Sequence, residues 1–488
     1  MKWLSLLAGL VILFTFYNLS YAAPGITPEL IQQMQKENAP DSVTLRLIDA
    51  VSKNGIKNVA LNQAIIKQHD PYFSHEIKTA KITNQEQSGR CWLFGGLNVL
   101  RPYILKKLNI DDFEFSQAYL FFWDKLEKSN TFLEEVIKRR NMDIRDEDFQ
   151  RILEKPLDDG GWWNYFVYLV KKYGLVPKSV MPETESTKNS ETMDRLLEQK
   201  LMDYAFQLRQ MNQEGKTLDD MEKTKEKFLS EIYHMLCFHF GTPPEKFQFR
   251  YKPKSTEEEK DKKDKDKKDK EKKEDKEKST LTEFVTYTPQ EFAGKFVTEN
   301  LEGYVVLANI PSRDYNQMYS LENARNIYDI EDFKFLNVRL EDLKKVTLNS
   351  VLGDEPVWFV SDVSHQIDFT SGIMHPQIYL YKDIYGIDIK LPKERSILYR
   401  NVTTNHVMVF IGVDVVNEKP TKWLVENSWG EKVGKDGYLH MYDSWFDEYV
   451  IVSVVKREFV PENIKPFLDT KPIIIKEKDT LGKFLEMR

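Results

Sequence analysis

Along the first third of the chain, apolar residues recur at a spacing that places them on one side of a helix. From Thr27 to about Thr187 the pattern is mainly helical, and Leu93, Leu97, Leu100, Ile104 and Leu108 form one apolar stripe. Pro102 falls inside that stripe and predicts a kink, because it removes a backbone donor and crowds the preceding turn. A second amphipathic stretch, rich in Met, Leu, Glu and Lys, predicts helix from about Glu191 to Phe240. The pattern changes after about Asn349. Pro356-Val357-Trp358-Phe359-Val360 and His406-Val407-Met408-Val409-Phe410-Ile411 are apolar runs of β type. A helical first half and a β-rich last half predict an α+β chain whose two lobes pack against each other.

Two stretches stand apart from this pattern. Lys2 is followed by an apolar run from Trp3 to Tyr17, then by Ser20-Tyr21-Ala22, a small-x-small cleavage pattern. The run falls short of the roughly 20 apolar residues of a membrane span. Residues 1–22 therefore read as a cleaved export signal, with an uncleaved anchor as the alternative, and no later segment is long and apolar enough to cross a bilayer. From Glu257 to Lys278 the chain holds eleven lysines, eleven acidic residues and no apolar residue. Such a tract gains nothing by burial and predicts a solvated loop or charged helix. The expected organisation is an export signal (1–22), a helical lobe (23–190), a helical insertion carrying the charged loop (191–345), a β-rich lobe (346–470) and a C-terminal arm (471–488).

Composition narrows the function classes. With 41% hydrophobic residues among 488, a large buried core is available. The net charge of −7 gives no support to a nucleic-acid partner. Two cysteines, Cys91 and Cys237, cannot build a disulfide framework. Cys237 sits in the apolar run Tyr233-His234-Met235-Leu236-Cys237-Phe238 and reads as an inert thiol. No metal or other cofactor is expected.

Three segments carry chemistry when taken together: Asn84-Gln85-Glu86-Gln87-Ser88-Gly89-Arg90-Cys91-Trp92, Thr403-Thr404-Asn405-His406 and Glu426-Asn427-Ser428-Trp429-Gly430. Cys91 follows Ser88-Gly89 where a helix should begin, and the unpaired amides there favour thiolate over thiol. Gln85 lies on the incoming loop, so its side-chain amide can join the Cys91 backbone N–H in an oxyanion hole. His406 to about Val413 and Thr421 to Asn427 read as a hairpin centred near Val416 and Asn417, which sets His406 opposite Asn427. The amide would then fix the imidazole tautomer and aim its other nitrogen at Cys91, a nucleophile, base and orienter in Cys-His-Asn form. Trp429 either covers the Asn–His hydrogen bond or is a packed aromatic.

The chain resembles bleomycin hydrolase and bacterial aminopeptidase C, a branch of the papain-like cysteine peptidases, from about Ala64 to the C-terminus. The resemblance rests on Ser88-Gly89-Arg90-Cys91-Trp92-Leu93-Phe94, on Phe113 through Lys125 and on Asp159-Gly160-Gly161. Lys172 through Lys178, Val425 through Gly430 and Trp445 through Val450 add to it. It implies a papain-like two-lobe fold with a large helical insertion. It also implies Cys91 as nucleophile, His406 as base, Asn427 as orienter, Gln85 as oxyanion donor, and Gly160 and Gly161 as a cleft wall that a substrate strand approaches closely. A hexameric ring, and a C-terminal arm whose carboxylate holds the substrate's free amine, are further implications.

The sequence departs from that family pattern in its export signal and in Ser361-Asp362-Val363-Ser364-His365-Gln366. Gly95-Gly96 stands where small helix formers are expected, and six residues run on after Gly482. The resulting expectation is an exported cysteine aminopeptidase acting on peptides. The alternatives are a cysteine endopeptidase, a dipeptide-releasing peptidase, or a catalytically silent ring that binds peptide or nucleic acid. The export signal fits a secreted, periplasmic or lysosomal enzyme. A glycan on the sequon at Asn401 would crowd the cleft near His406.

Overall fold

A computed structural model describes residues 25–154, 156–254, 281–297, 299–476 and 478–485. The expected export signal (1–22), the charged tract (257–278) and the end of the arm (486–488) lie outside the described residues.

Helices α1 (Pro28–Glu37) and α2 (Ser42–Asn54) open the described chain, each started by a side-chain cap, from Thr27 and Asp41 respectively. Neither buries a residue. Helix α3 (Cys91–Leu108) is different, because apolar or small residues surround most of its circumference and it is buried nearly all round. It runs unbroken through Pro102. The pair Gly95-Gly96 is explained by what surrounds it. A Cβ at Gly95 would lie 2.8 Å from Val407 Cγ1, and one at Gly96 would lie 2.7 Å from the Phe166 ring. Any side chain there would push the helix off its neighbours. Helices α4 (Gln117–Lys138) and α5 (Trp163–Tyr173) complete the lobe, and the long pair α6 (Glu191–Gln213) and α7 (Leu218–Phe240) packs on α4.

The β-rich part centres on six strands: β1 (Tyr304–Ala308), β2 (Val357–Ser361), β3 (His406–Val416), β4 (Lys419–Glu426), β5 (Tyr438–Tyr442) and β6 (Val450–Lys456). They stand in the order β1-β6-β2-β3-β4-β5, antiparallel throughout, as the middle of a twelve-stranded sheet. Besides the two-residue strand His75–Glu76, which pairs with β3, the sheet takes in the strands Tyr304–Ala308, Gln317–Leu321 and Lys334–Asn337, inside the segment expected to be a helical insertion. Of that segment, the stretch Tyr304-Val305-Val306-Leu307-Ala308 is β-branched and apolar enough to pair with β6. Helix α3 lies against β3, which sets the first residue of the helix beside the first residues of the strand.

The hairpin register corrects the sequence expectation. Asn417 and Glu418 both have positive φ, 51° and 64°, which makes a two-residue turn one step later than expected. Val416 pairs with Lys419 and Val409 with Glu426, with irregularities between Phe410 and Gly412 and between Asp414 and Val415. His406 therefore faces Ser361 of β2 in the ladder, and Asn427 lies just past the end of β4.

Candidate active site

The loop before α3 is built from its own polar atoms. Gln85 N donates to the Ser428 carbonyl at 2.8 Å, and the Ser428 hydroxyl donates to Gln85 Oε1 at 2.7 Å. Gln85 Nε2 donates to the Ser88 carbonyl at 2.6 Å, which leaves its second proton for another acceptor. Arg90, fully buried, is the residue before the helix. Its Nη2 lies 2.7 Å from Glu183 Oε2 and donates to the Thr187 carbonyl, while its Nε donates to Ser88 Oγ at 2.8 Å. The loop that delivers Cys91 is thus fastened on one side to the segment after β4 and on the other to the helical lobe.

His406 and Asn427 meet despite the shifted register. His406 Nε2 lies 2.9 Å from Asn427 Oδ1. An amide oxygen only accepts, so this bond assigns the proton to Nε2 and leaves Nδ1 as the basic nitrogen. Ser428 N donates to the same Oδ1 at 2.8 Å, holding the amide in that orientation. The Trp429 ring stacks on the imidazole, with centroids 4.3 Å apart and planes inclined by 29°. It therefore does lie over the Asn–His pair.

The Val407 N–H lies against the Cys91 thiol, which puts the sulfur beside the strand residue that follows His406. Burial dominates the titration of both groups. It pushes the Cys91 thiol up to about 11, overriding the backbone amides of Val407, Trp92 and Cys91 that pull it down. It pushes the His406 imidazole down to about 4, against the Asn427 hydrogen bond. Burial thus biases both groups towards their neutral forms.

Gly160 is partly exposed, and its carbonyl accepts from Lys128 Nζ at 2.7 Å. Gly161 is buried under α3, where a Cβ would lie 2.5 Å from the Trp92 ring. The glycine requirement at 161 is thus set by Trp92.

The C-terminal arm reaches this site. Asp479 caps the short helix α8 (Thr480–Phe484) through Leu481 N at 2.8 Å and pairs with Arg313. Leu481, Phe484 and Leu485 are buried, and the Phe484 carbonyl accepts from Thr404 Oγ1 at 3.0 Å, two residues before His406. Cys237 is half-buried on α7. Among the described residues, no group of three or more His, Cys, Asp or Glu side chains is placed to hold a metal ion.

Sequence reasoning missed the polar groups that hold these pieces: Ser428 on Gln85, Glu183 on Arg90, Glu426 on Arg101, and Lys125 with Asp159 and Asp194. A signal was present in Arg101 and Lys125, charged residues inside otherwise apolar helical runs, since such residues are seldom fully buried without a partner.

A buried thiol at a helix start beside a strand headed by an amide-held imidazole, between a helical lobe and a β-rich one, defines a papain-like cysteine peptidase. The chain belongs to the Peptidase C1-like family, whose model matches residues 25–482. It is 36% identical over 456 residues to an Aminopeptidase C of Listeria innocua, covering 93% of this chain and 97% of that protein. It is also 36% identical over 439 residues to an Aminopeptidase C of Lactobacillus delbrueckii subsp. lactis, covering 89% of this chain and 93% of that protein. The crystal structure of PepW from Lactobacillus rhamnosis HN001 superposes with a TM-score of 0.86 at 35% identity, covering 94% of this chain and 99% of that one.

Proposed function

We propose that the chain is an exported cysteine aminopeptidase, removing N-terminal residues from peptides through Cys91, His406 and Asn427. His406 Nδ1 takes the thiol proton as the sulfur attacks the scissile carbonyl carbon, forming the S–C bond. The carbonyl oxygen gains negative charge and is met by the Cys91 N–H and the free Gln85 Nε2 proton. The imidazolium, steadied by Asn427 Oδ1, gives its proton to the leaving amine as the C–N bond breaks. Water then hydrolyses the thioester by the same steps in reverse roles, and the thiol recovers its proton. The names of the relatives support the aminopeptidase class, and the apolar run at 3–17 supports export.

The observation that carries exopeptidase specificity is the arm: its Phe484 carbonyl is bonded to Thr404, beside the imidazole. A chain end lodged there shortens the groove on the side of the substrate's amino terminus and offers it a carboxylate. Assembly into a ring of six subunits belongs to the same proposal. The test is a peptide and its N-acetylated twin. The free-amine peptide should be cut far faster, and deletion from Asp479 onward should erase the difference. Equal cleavage of the two by the full-length enzyme refutes the exopeptidase reading in favour of an endopeptidase.

A further inference from the structure

One residue of the acidic loop before Gly160 holds both flanks of the nucleophile. Gly89 N, two residues before Cys91, donates to Asp159 Oδ2 at 2.9 Å. The Trp92 indole Nε1, one residue after Cys91, donates to the Asp159 carbonyl at 2.7 Å. A Cβ at Gly89 would lie 2.6 Å from the Asp159 Cβ, so the glycine is what lets the carboxylate reach that amide. The carboxylate is itself fixed. Ser190 Oγ donates to Oδ2 at 2.5 Å, and Lys125 Nζ stands 2.7 Å from Asp159 Oδ1 and 2.8 Å from Asp194 Oδ1. Lys125 is completely buried, and its Nζ also donates to the Leu157 carbonyl at 2.6 Å. Burying Lys125 and Asp159 as a charged pair here carries a desolvation cost that a purely apolar packing would avoid.

We propose that Asp159, with Lys125 and Ser190 behind it, is a positioning residue for the peptidase reaction, holding Gly89 and Trp92 so that the Cys91 thiol and backbone amide face the scissile carbonyl. The proposal rests on Cys91 being the nucleophile. Asp159 also acts on Cys91 through its charge, which opposes ionisation of the thiol. The titratable groups around that thiol are His406 from β3 and Asp159 from the loop, with Lys125 of α4 and Asp194 of α6 behind it.

Two variants separate positioning from simple support of the fold. Asp159→Ala loses the bond to Gly89, and a misplacement on the order of 1 Å at a reacting group costs about 10²-fold in rate. Its kcat should fall by about that factor with KM within about threefold. Asp159→Asn keeps an oxygen for the Gly89 N–H but no charge. It should recover part of kcat, and its Cys91 should be alkylated by iodoacetamide at lower pH than in the wild type, because an opposing charge is gone. Alkylation needs no substrate, so it decides the question even if the wild type cleaves no peptide, an outcome that would count against the peptidase reading alone. Should Asp159→Ala fail to fold, the Asp159→Asn profile decides by itself. An Asp159→Ala enzyme with wild-type kcat, or an Asp159→Asn thiol whose alkylation profile does not move, overturns the proposal.

Discussion

Arg101→Met should destabilise the protein by an amount that depends on pH in a defined way. Arg101 lies on α3, the helix that Cys91 begins, and Glu426 ends β4 immediately before Asn427. Their side chains are 2% and 1% exposed, with Arg101 Nη1 3.1 Å from Glu426 Oε1. The guanidinium also donates to the Phe113 carbonyl at 3.0 Å, to Asn98 Oδ1 at 3.2 Å and to the Lys81 carbonyl. The pair ties the helix that Cys91 begins to the strand that leads into Asn427. Breaking a buried pair by removing one partner typically costs about 3–5 kcal/mol. Here the stranded carboxylate has an escape, since it can take a proton. Burial already pushes Glu426 up to about 7, against the pull of Arg101. A carboxyl raised in the folded state stabilises fully below its unfolded value of 4.5 and loses that contribution as pH rises through its folded value. Wild type and variant share this loss up to about pH 7. Above it only the variant, whose carboxyl titrates higher, keeps losing about 1.4 kcal/mol per pH unit. The destabilisation at pH 8.5 should therefore exceed that at pH 6 by up to roughly 2 kcal/mol. Urea unfolding of both proteins at the two pH values measures it, and adding Glu426→Gln to the variant should remove the difference. A destabilisation equal at both pH values, or a pH slope surviving in the double variant, refutes the argument.

Other expectations follow from single contacts. Gly95→Ala should destabilise by about 1–3 kcal/mol through the clash with Val407 and Trp358, whereas Gly294→Ala, with nothing within 4 Å of its Cβ, should be neutral or stabilising by melting temperature. Removing 257–278 and joining the ends with a short flexible linker should leave folding and activity intact. The chain leaves and returns at one place, where Thr282 N bonds the Tyr251 carbonyl at 3.0 Å, so an insoluble or inactive deletion protein would contradict this. His406 and His440 are both pushed down to about 4 by burial, so the stability they contribute above 6.5 is lost as pH falls through 4. Melting temperature should therefore drop on acidification over that window, less steeply in His440→Gln, and an unchanged slope in that variant would count against the assignment.

Much of the site could be read from local signals. Gln85, Cys91, His406 and Asn427 lie in three short segments whose backbone contexts, a loop entering a helix, a strand head and a strand end, each follow from nearby residues. The hairpin register was out of reach for a concrete reason: the turn at Asn417-Glu418 needs positive φ at both positions, and two irregularities shift the strands after it. The strands between Tyr304 and Asn337 were hidden because they are short and follow long helices and the charged tract. The clamps at Arg90, Arg101 and Lys125 depend on acids more than 60 positions away in two cases, Asp194 and Glu183, and on Glu426 in the third, distances over which composition and periodicity carry no information. The glycines 89, 95, 96 and 161 look alike in sequence, yet a different neighbour excludes a side chain at each.

The central claim is that Cys91 does the chemistry, and the most direct test is turnover of a free-amine aminoacyl anilide by wild type, Cys91→Ala and Cys237→Ala measured side by side. Cys237→Ala should match the wild type, while Cys91→Ala, folded to the same circular dichroism spectrum, should release no product above the uncatalysed rate. Product release by Cys91→Ala at the wild-type rate would contradict the mechanism as a whole.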